Sequence, residues 1–332
     1  MRRCAPVLSE GGRTVAVMTA PAAAPAPGAL AGPPAPDVPA AEGRALLPVV
    51  GSLSPSRAGD FMTCPLLYRF RTIDRLPQAP SPAATRGTVV HAALEALFDL
   101  PAAERTLERA AALVAPAWDA VREAEPEVAS MFADDTELSA WLASARELLE
   151  GYFSLEDPTR LEPSAREQVV EVLLPGGLRL RGIVDRIDVA PTGEVRVVDY
   201  KTGRAPGEMF EAKALFQMKF YALVLWRTRG TVPRLLQLMY LGDREVLRYS
   251  PDEADLLAVE RKVLALWEAI ERATQLREFR ARPSRLCDWC DHQALCPAFG
   301  GTPPPFPEVV PGPDVLLPYQ QRAAQAQAVS GG

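Results

Sequence analysis

The 332-residue sequence lacks an apolar run of the roughly 20 residues that a membrane-spanning helix needs. No apolar segment follows the initial Met-Arg-Arg, so we expect no secretory signal and predict a cytoplasmic protein without a membrane partner. Basic charge is not in excess, since the net charge is −6, which argues against a general nucleic-acid coat protein but allows local basic patches. A G-x4-G-K-[ST] phosphate loop is also missing, so the chain is not expected to be a motor.

Proline is abundant, and its distribution predicts where the folded region ends. Residues 1–50 contain a Pro/Ala-rich stretch and are expected to form a disordered tail, within which Met18 is an alternative start. Residues 302–332 are Pro-rich and then Ala/Gln-rich, and we expect a second disordered tail there. The folded domain is therefore predicted over residues 53–300.

The spacing of apolar residues divides this domain into three parts. Spacings of three and four predict helices over about 54–155, and a period of two predicts strands over about 165–250. A long helix and a cysteine-containing segment follow over about 251–299. Short Gly-containing links join the first three strands, which favours an antiparallel meander. We therefore predict an α/β (α+β) domain, with a mixed central sheet flanked by helices, an added helical region and a C-terminal cysteine cluster.

Two acids and a lysine lie in apolar register on two predicted strands, GIVDRIDV and EVRVVDYKTG. Alternation places Asp185 on a face with isoleucines, and it places Asp199 and Lys201 on a face with valines. Ionised groups among aliphatic side chains are costly unless an opposite charge meets them. A divalent cation held by the two acids removes this cost, and with the lysine it provides what metal-assisted phosphodiester hydrolysis needs. The alternative interpretation is that these are solvated residues near the turn at Thr202-Gly203.

The cysteines indicate a second site. Cys287, Cys290 and Cys296 form a C-x2-C-x5-C pattern after the last long helix, and Cys64 lies far upstream. Thiolates this close in a short segment indicate metal binding, and zinc and an iron–sulfur cluster both suit the pattern. His292 is a candidate substitute ligand, and three unrelated buried thiols are the alternative.

Six stretches occur in order across nearly all of the predicted domain: SPSRAGDFMTCPLLYRF (54–70), RGTVVHAALE (86–95), GIVDRIDV (182–189), VVDYKTG (197–203), QMKFY (217–221) and CDWCDHQALC (287–296). Together they resemble the RecB-family exonuclease branch of the PD-(D/E)XK nuclease superfamily. They are most similar to the AddB-type and CRISPR-associated members, which hold an iron–sulfur cluster with one early and three late cysteines. The resemblance implies a metal-dependent DNA exonuclease that hydrolyses phosphodiester bonds in DNA repair, recombination or related processing.

The resemblance also assigns roles to individual residues. It implies Mg²⁺ or Mn²⁺ held by His91, Asp185, Asp199 and the backbone carbonyl of Tyr200. Asp185, Asp199 and Lys201 are the expected catalytic residues. Glu95, one helical turn after His91, is the expected partner of its imidazole.

Substrate contacts are expected from a helix and from an arginine-rich segment. Gln217 and Tyr221 match the Q-x3-Y pattern of the family and, being four residues apart, share a helix face. Arg57, Arg69 and Arg86 belong to a basic segment suited to phosphate contacts.

The implied cofactors and partners follow from these roles. The cysteines Cys64, Cys287, Cys290 and Cys296 are expected to hold a [4Fe–4S] cluster, with zinc as the alternative. The expected partner is DNA, as single strands or as ends, together with a separate helicase. Two rival functions are a catalytically silent iron–sulfur scaffold that binds DNA beside a helicase, and a hydrolase acting on another phosphate ester.

Overall fold

A computed structural model describes residues 51–205 and 208–308, without the side chains of residues 208–211. The first predicted tail, residues 1–50, and residues 309–332 of the second lie outside the described residues. The described residues fall in one compact unit, in which a six-stranded mixed sheet is covered by helices on both faces. This architecture confirms the predicted fold class. None of its helices has the length and apolar character that a membrane crossing requires.

The helices surround the sheet in two groups. In chain order they are α1 (Pro55–Thr63), α2 (Pro65–Tyr68), α3 (Pro82–Leu97), α4 (Leu107–Ala124), α5 (Asp135–Leu155), α6 (Glu208–Arg229) and α7 (Glu253–Leu276). Ser54 caps α1, because its hydroxyl accepts a hydrogen bond from the backbone N–H of Arg57, and Pro55 occupies the first helical position. After α2 the chain continues as a π-helix over Arg69–Ile73.

The strands confirm the predicted antiparallel meander. They are β1 (Gly51–Leu53), β2 (Ala165–Leu173), β3 (Leu178–Val189), β4 (Val195–Lys201), β5 (Leu235–Tyr240) and β6 (Glu245–Tyr249). Strand β3 pairs antiparallel with β2 along one edge. Its other edge pairs with β1, parallel, at the beginning and with β4, antiparallel, at the end. Strand β5 is parallel to β4, and β6 is antiparallel to β5.

Each face of the sheet has its own hydrophobic core. One core joins β3, β4 and β5 to α1, α6 and α7, and it includes Leu180, Val197 and Leu238. The other joins β4 and β5 to α3, α4 and α5, and it includes Val198 and Met239. The alternation of β4 therefore divides its side chains between two dry cores.

The structure changes both ends of the predicted domain. Strand β1 begins at Gly51, two residues before the predicted start of the domain. At the other end, residues 302–308 belong with the folded part and not with a tail. Phe306 stacks on Phe279, and Arg69 donates a hydrogen bond to the carbonyl of Pro304. These contacts join distant parts of the chain, so local composition gave no sign of them.

Candidate active site

Strands β3 and β4 bring the predicted acids together. Their pairing extends to Arg186 opposite Val198, and one further step places Asp185 opposite Asp199. The carboxylate of Asp185 accepts a hydrogen bond from the backbone N–H of Tyr200 over 2.7 Å. Asp199 is only 2% exposed. Both acids thus lie at the sheet in restricted contact with water, where a cation would be strongly attracted.

Helix α3 places His91 against these strands. Its Nε2 lies 3.0 Å from the backbone oxygen of Tyr200, and since a carbonyl only accepts, Nε2 donates this hydrogen bond. Its Nδ1 lies 3.6 Å from Asp185 Oδ2 and 3.5 Å from Glu167 Oε1. The imidazole is therefore oriented by the Tyr200 carbonyl and presents its other nitrogen to two carboxylates. Such a hydrogen bond on the far nitrogen is typical of a metal-binding histidine.

Burial and neighbouring charges shift the pKa values of the acids and the histidine in this cluster. Burial raises the pKa of Asp185, and the nearby carboxylates of Asp199 and Glu167 raise it further, to about 7. Burial lowers the pKa of His91, but Asp185 and Glu167 outweigh this effect and raise it to about 9. His91, Glu167 and Asp185 offer ligand atoms that all lie within 4.8 Å of one another. One imidazole nitrogen and two carboxylate oxygens are suitable ligand atoms for Mg²⁺ or Mn²⁺. These residues therefore fit the cation that the family resemblance implies.

Lys201 and Gln217 form the other side of the site. Lys201 Nζ lies 2.6 Å from Asp199 Oδ2 and donates a 3.1 Å hydrogen bond to Gln217 Oε1. The amide nitrogen of Gln217 donates to Asp199 Oδ1 over 3.0 Å and to the Tyr221 hydroxyl over 3.2 Å. Burial lowers the pKa of Lys201, but Asp199 and Asp185 outweigh this effect and raise it, so the amine stays charged.

Gly182 explains how α6 approaches β3 so closely. A Cβ added there would lie 2.5 Å from Cε1 of Tyr221, closer than real Cβ contacts. The missing side chain leaves room for the Tyr221 ring, which in turn supports Gln217. The predicted pair Gln217 and Tyr221 thus shares one helix face and meets the catalytic strands.

Comparison with known proteins identifies the family. The sequence profile of the PD-(D/E)XK nuclease superfamily matches residues 52–297. This chain belongs to the PD-(D/E)XK nuclease superfamily. Nucleases of this superfamily act on DNA and generally use Mg²⁺ or Mn²⁺, in agreement with the donor set around Asp185.

Two relatives come from mycobacterial phages. The Gene 69 protein of Mycobacterium phage D29 is 26% identical over 277 residues, which cover 74% of this chain and 96% of the relative. The Gene 69 protein of Mycobacterium phage L5 is 30% identical over 126 residues, which cover 37% of this chain and 41% of the relative. The match thus spans less than half of the L5 protein. An exonuclease candidate of known structure from Eubacterium rectale is 16% identical, with a TM-score of 0.48 over 73% of this chain and 87% of its own.

A groove of about 640 Å³ opens beside the nuclease site. His91, Asp185 and Gln217 are among the residues that line it. Three cationic side chains, Arg71, Arg204 and Lys213, line it as well. A groove that joins a cation site to basic side chains is suited to a phosphate backbone.

The predicted arginine contacts need correction. Arg57, Arg69 and Arg86 are not among the residues that line the groove. Arg69 is buried, with its guanidinium 3.0 Å from Asp74, so it contributes to packing within the fold. Arg86 donates to the Ser144 hydroxyl and Arg57 to a backbone oxygen of β1. The clustering of arginines in the sequence does not show which of them form hydrogen bonds or ion pairs within the fold.

The four predicted cysteines line a second, small cavity of about 50 Å³. These residues are Cys64, Cys287, Cys290 and Cys296, and all four thiols are free. Cys64 Sγ accepts a hydrogen bond from the backbone N–H of Arg282. His292 does not line this cavity; it is buried against the ring of Phe70. Among the described residues, no three sulfurs lie within 4.8 Å of one another.

Sequence reasoning missed Glu167, and it selected Glu95 as the partner of His91. In the structure Glu167, not Glu95, pairs with His91 Nδ1. The signal that would have found Glu167 is its register in the meander. Counting back from the Pro175-Gly176-Gly177 link places Glu167 across from Asp185.

Proposed function

We propose that this protein is a RecB-like, metal-dependent DNA exonuclease acting in DNA repair, recombination or related processing. The observation that carries the proposal is the convergence of Asp185, Asp199 and Lys201 in a PD-(D/E)XK nuclease, where Asp185 also lines the groove. His91 and Gln217 orient this trio from two helices on opposite sides of the sheet. Two acids and one amine at a cation site are the groups that phosphodiester hydrolysis requires.

In this proposal His91, Asp185 and Asp199 hold Mg²⁺ or Mn²⁺. The Tyr200 carbonyl orients the imidazole by accepting a hydrogen bond from Nε2 of His91. When bound, the cation polarises a phosphate oxygen and lowers the pKa of a water molecule. The contribution of the protein is to fix these ligands on paired strands, so that little reorganisation is needed during the reaction.

Lys201 has the electrostatic role. Its raised pKa keeps the amine protonated, and the charge offsets the negative charge that grows on the phosphorane. Gln217 accepts from the amine and donates to Asp199, so it holds the two side chains in one relative orientation. The 3′ oxygen of the scissile bond is the expected leaving group.

The groove supports DNA as the substrate. Arg71 and Lys213 line it together with His91 and Asp185, so the groove offers cationic side chains to the phosphates of a bound strand. The Arg71 guanidinium lies 2.9 Å from Asp60, which limits its motion and presents it in a fixed orientation. We propose single strands or DNA ends as the substrate, with a separate helicase supplying them in the cytoplasm.

For the cysteine site we propose a [4Fe–4S] cluster. The four cysteines expected to hold it, Cys64, Cys287, Cys290 and Cys296, line one cavity. Backbone N–H groups of Arg282 and Ser284 donate to Cys64 and Cys287, and such hydrogen bonds tune iron–sulfur clusters.

Cleavage of end-labelled DNA tests the proposed function. The full chain, purified without oxygen, is incubated with single- and double-stranded DNA in Mg²⁺, Mn²⁺ or EDTA. We expect cleavage with either metal, no cleavage in EDTA, and no cleavage by Asp199→Asn. Asp119→Asn, on the exposed face of α4, is the matched control and should cleave normally.

Two outcomes contradict the proposal. Cleavage that persists in Asp199→Asn would remove the assigned catalytic site. Binding of DNA by the wild type without cleavage in either metal would favour the silent iron–sulfur scaffold.

A further inference from the structure

Three carboxylates form a row across three neighbouring strands. Pairing between β2 and β3 continues on both sides of Glu167 and Asp185, which places these residues opposite each other. The β3–β4 register places Asp185 opposite Asp199. Like charges on opposing positions of neighbouring strands destabilise a sheet. A row of three acids is therefore stabilised by positive charge beside all three of them, and not only beside Asp185 and Asp199, the two predicted from the sequence.

The backbone of Glu167 departs from the strand conformation at this point. Its φ is +41°, in the left-handed region that non-glycine residues rarely adopt, although β2 keeps its register with β3 before and after it. Glu167 lines the groove, and its carboxylate lies 3.5 Å from His91 Nδ1. The local conformation thus accompanies a side chain directed at the cation site.

The geometry distinguishes a ligand from a residue that orients the histidine. An orienting group binds the imidazole nitrogen that faces away from the metal, and the Tyr200 carbonyl already does so at Nε2. Glu167 faces Nδ1, the nitrogen that also faces Asp185. The two separations of 3.5 and 3.6 Å fall between the adjacent and opposite ligand spacings, about 3.0 and 4.2 Å, of an octahedron with 2.1 Å bonds.

We propose that Glu167 is a direct ligand of the divalent cation, together with His91 and Asp185. This inference rests on the proposed function, because it concerns the same cation. It adds a third carboxylate to the ligand set that the sequence predicts, and it assigns a binding role to β2, a strand that carries none of the predicted site residues.

Mn²⁺ bound to the full chain provides a test that does not depend on cleavage. Electron spin-echo envelope modulation detects a ¹⁴N nucleus on a Mn²⁺ ligand, so the wild type should show one histidine nitrogen, which His91→Gln removes. Glu167→His should show two, because a histidine at a ligand position adds its own nitrogen. Histidine is among the residues that tolerate positive φ, so this variant suits the backbone.

Affinity for Mn²⁺ provides the second measurement. Glu167→Gln should weaken Mn²⁺ binding at least about tenfold by calorimetry. Glu171→Gln is the matched control, because Glu171 is an exposed acid on the same strand, paired with Arg181, and it should bind as the wild type does. A single nitrogen signal in Glu167→His, or wild-type affinity in Glu167→Gln, would overturn the inference.

The same experiment separates this inference from the proposed function. Asp185→Asn should also lose Mn²⁺ binding. If the wild type takes up no Mn²⁺, or if Asp185→Asn binds it unchanged, the proposed function itself fails. If Asp185→Asn loses binding while Glu167→Gln retains it, only the role of Glu167 is refuted.

Discussion

Removing the guanidinium of Arg186 should destabilise the nuclease far more than removing a surface arginine. Arg186 is fully buried in β3, beside the catalytic acid of that strand. It donates to the Tyr200 hydroxyl over 2.6 Å and lies 2.8 Å from Glu156 and 3.1 Å from Asp188. Arg186→Met keeps an unbranched apolar stem at this position and removes the charge and all the hydrogen-bond donors of the side chain.

The expected loss follows from what the substitution leaves behind. Breaking a buried ion pair by removing one partner costs about 3–5 kcal/mol, because the other charge stays buried. Here Arg196 still lies 2.8 Å from Asp188 and 3.2 Å from Glu156, so the loss should be near the lower limit, about 3 kcal/mol. The Tyr200 hydroxyl loses its donor, which adds about 1 kcal/mol. A domain of this size should then unfold roughly 8–16 °C lower.

Urea unfolding followed by circular dichroism measures this loss. Arg122→Met is the control, since Arg122 pairs with Asp119 on the exposed face of α4 and should change stability by less than about 0.5 kcal/mol. A loss below about 1 kcal/mol for Arg186→Met would refute the reasoning, because the buried acids would then be stable without this partner.

Three further predictions concern the two sites. Gly182→Ala forces its methyl into the Tyr221 ring and should lower the cleavage rate about 100-fold. Gly203→Ala, whose added methyl meets no atom within 4 Å, should leave the cleavage rate unchanged. Equal cleavage rates in the two variants would contradict the packing argument. Cys290→Ser should remove the absorbance of the proposed cluster near roughly 400 nm and lower the melting temperature; a colourless wild type that contains zinc would favour zinc. Mn²⁺ at 100 times its Kd should raise the melting temperature by roughly 5–10 °C, and a shift that persists in Asp185→Asn would place the ion elsewhere.

Most of the sheet could be predicted from the sequence because its pairings are local. Strand β3, Leu178–Val189, contains the predicted strand GIVDRIDV, since a period of two and Gly-containing links define it. Strand β1 could not be predicted, because three residues show no period and its parallel partner lies more than 120 residues away along the chain. The order of strands at this edge of β3 thus depends on contacts between distant parts of the chain, which a local sequence pattern does not predict.

The candidate site was predictable in the same way. Asp185, Asp199 and Lys201 could be selected because each breaks an apolar alternation, which is visible in a single strand. Glu167 breaks no such pattern. Only the pairing of β2 with β3 shows that Glu167 lies opposite Asp185. Arg69 donates a hydrogen bond to the carbonyl of Pro304, more than 200 positions away along the chain. Its burial could therefore not be derived from the arginine-rich segment around it.

The position of the nuclease site follows from a split in the sheet. Strands β1 and β4 pair with the same edge of β3, but among the described strands neither pairs there over residues 181–185. Asp185 lies at the end of this gap, where α3 approaches from one face of the sheet and α6 from the other. Paired strands hold the acids rigidly on one side, while the gap admits the groove on the other. A continuous sheet would bury Asp185 between two cores, so the split is what allows a rigid carboxylate to meet a substrate.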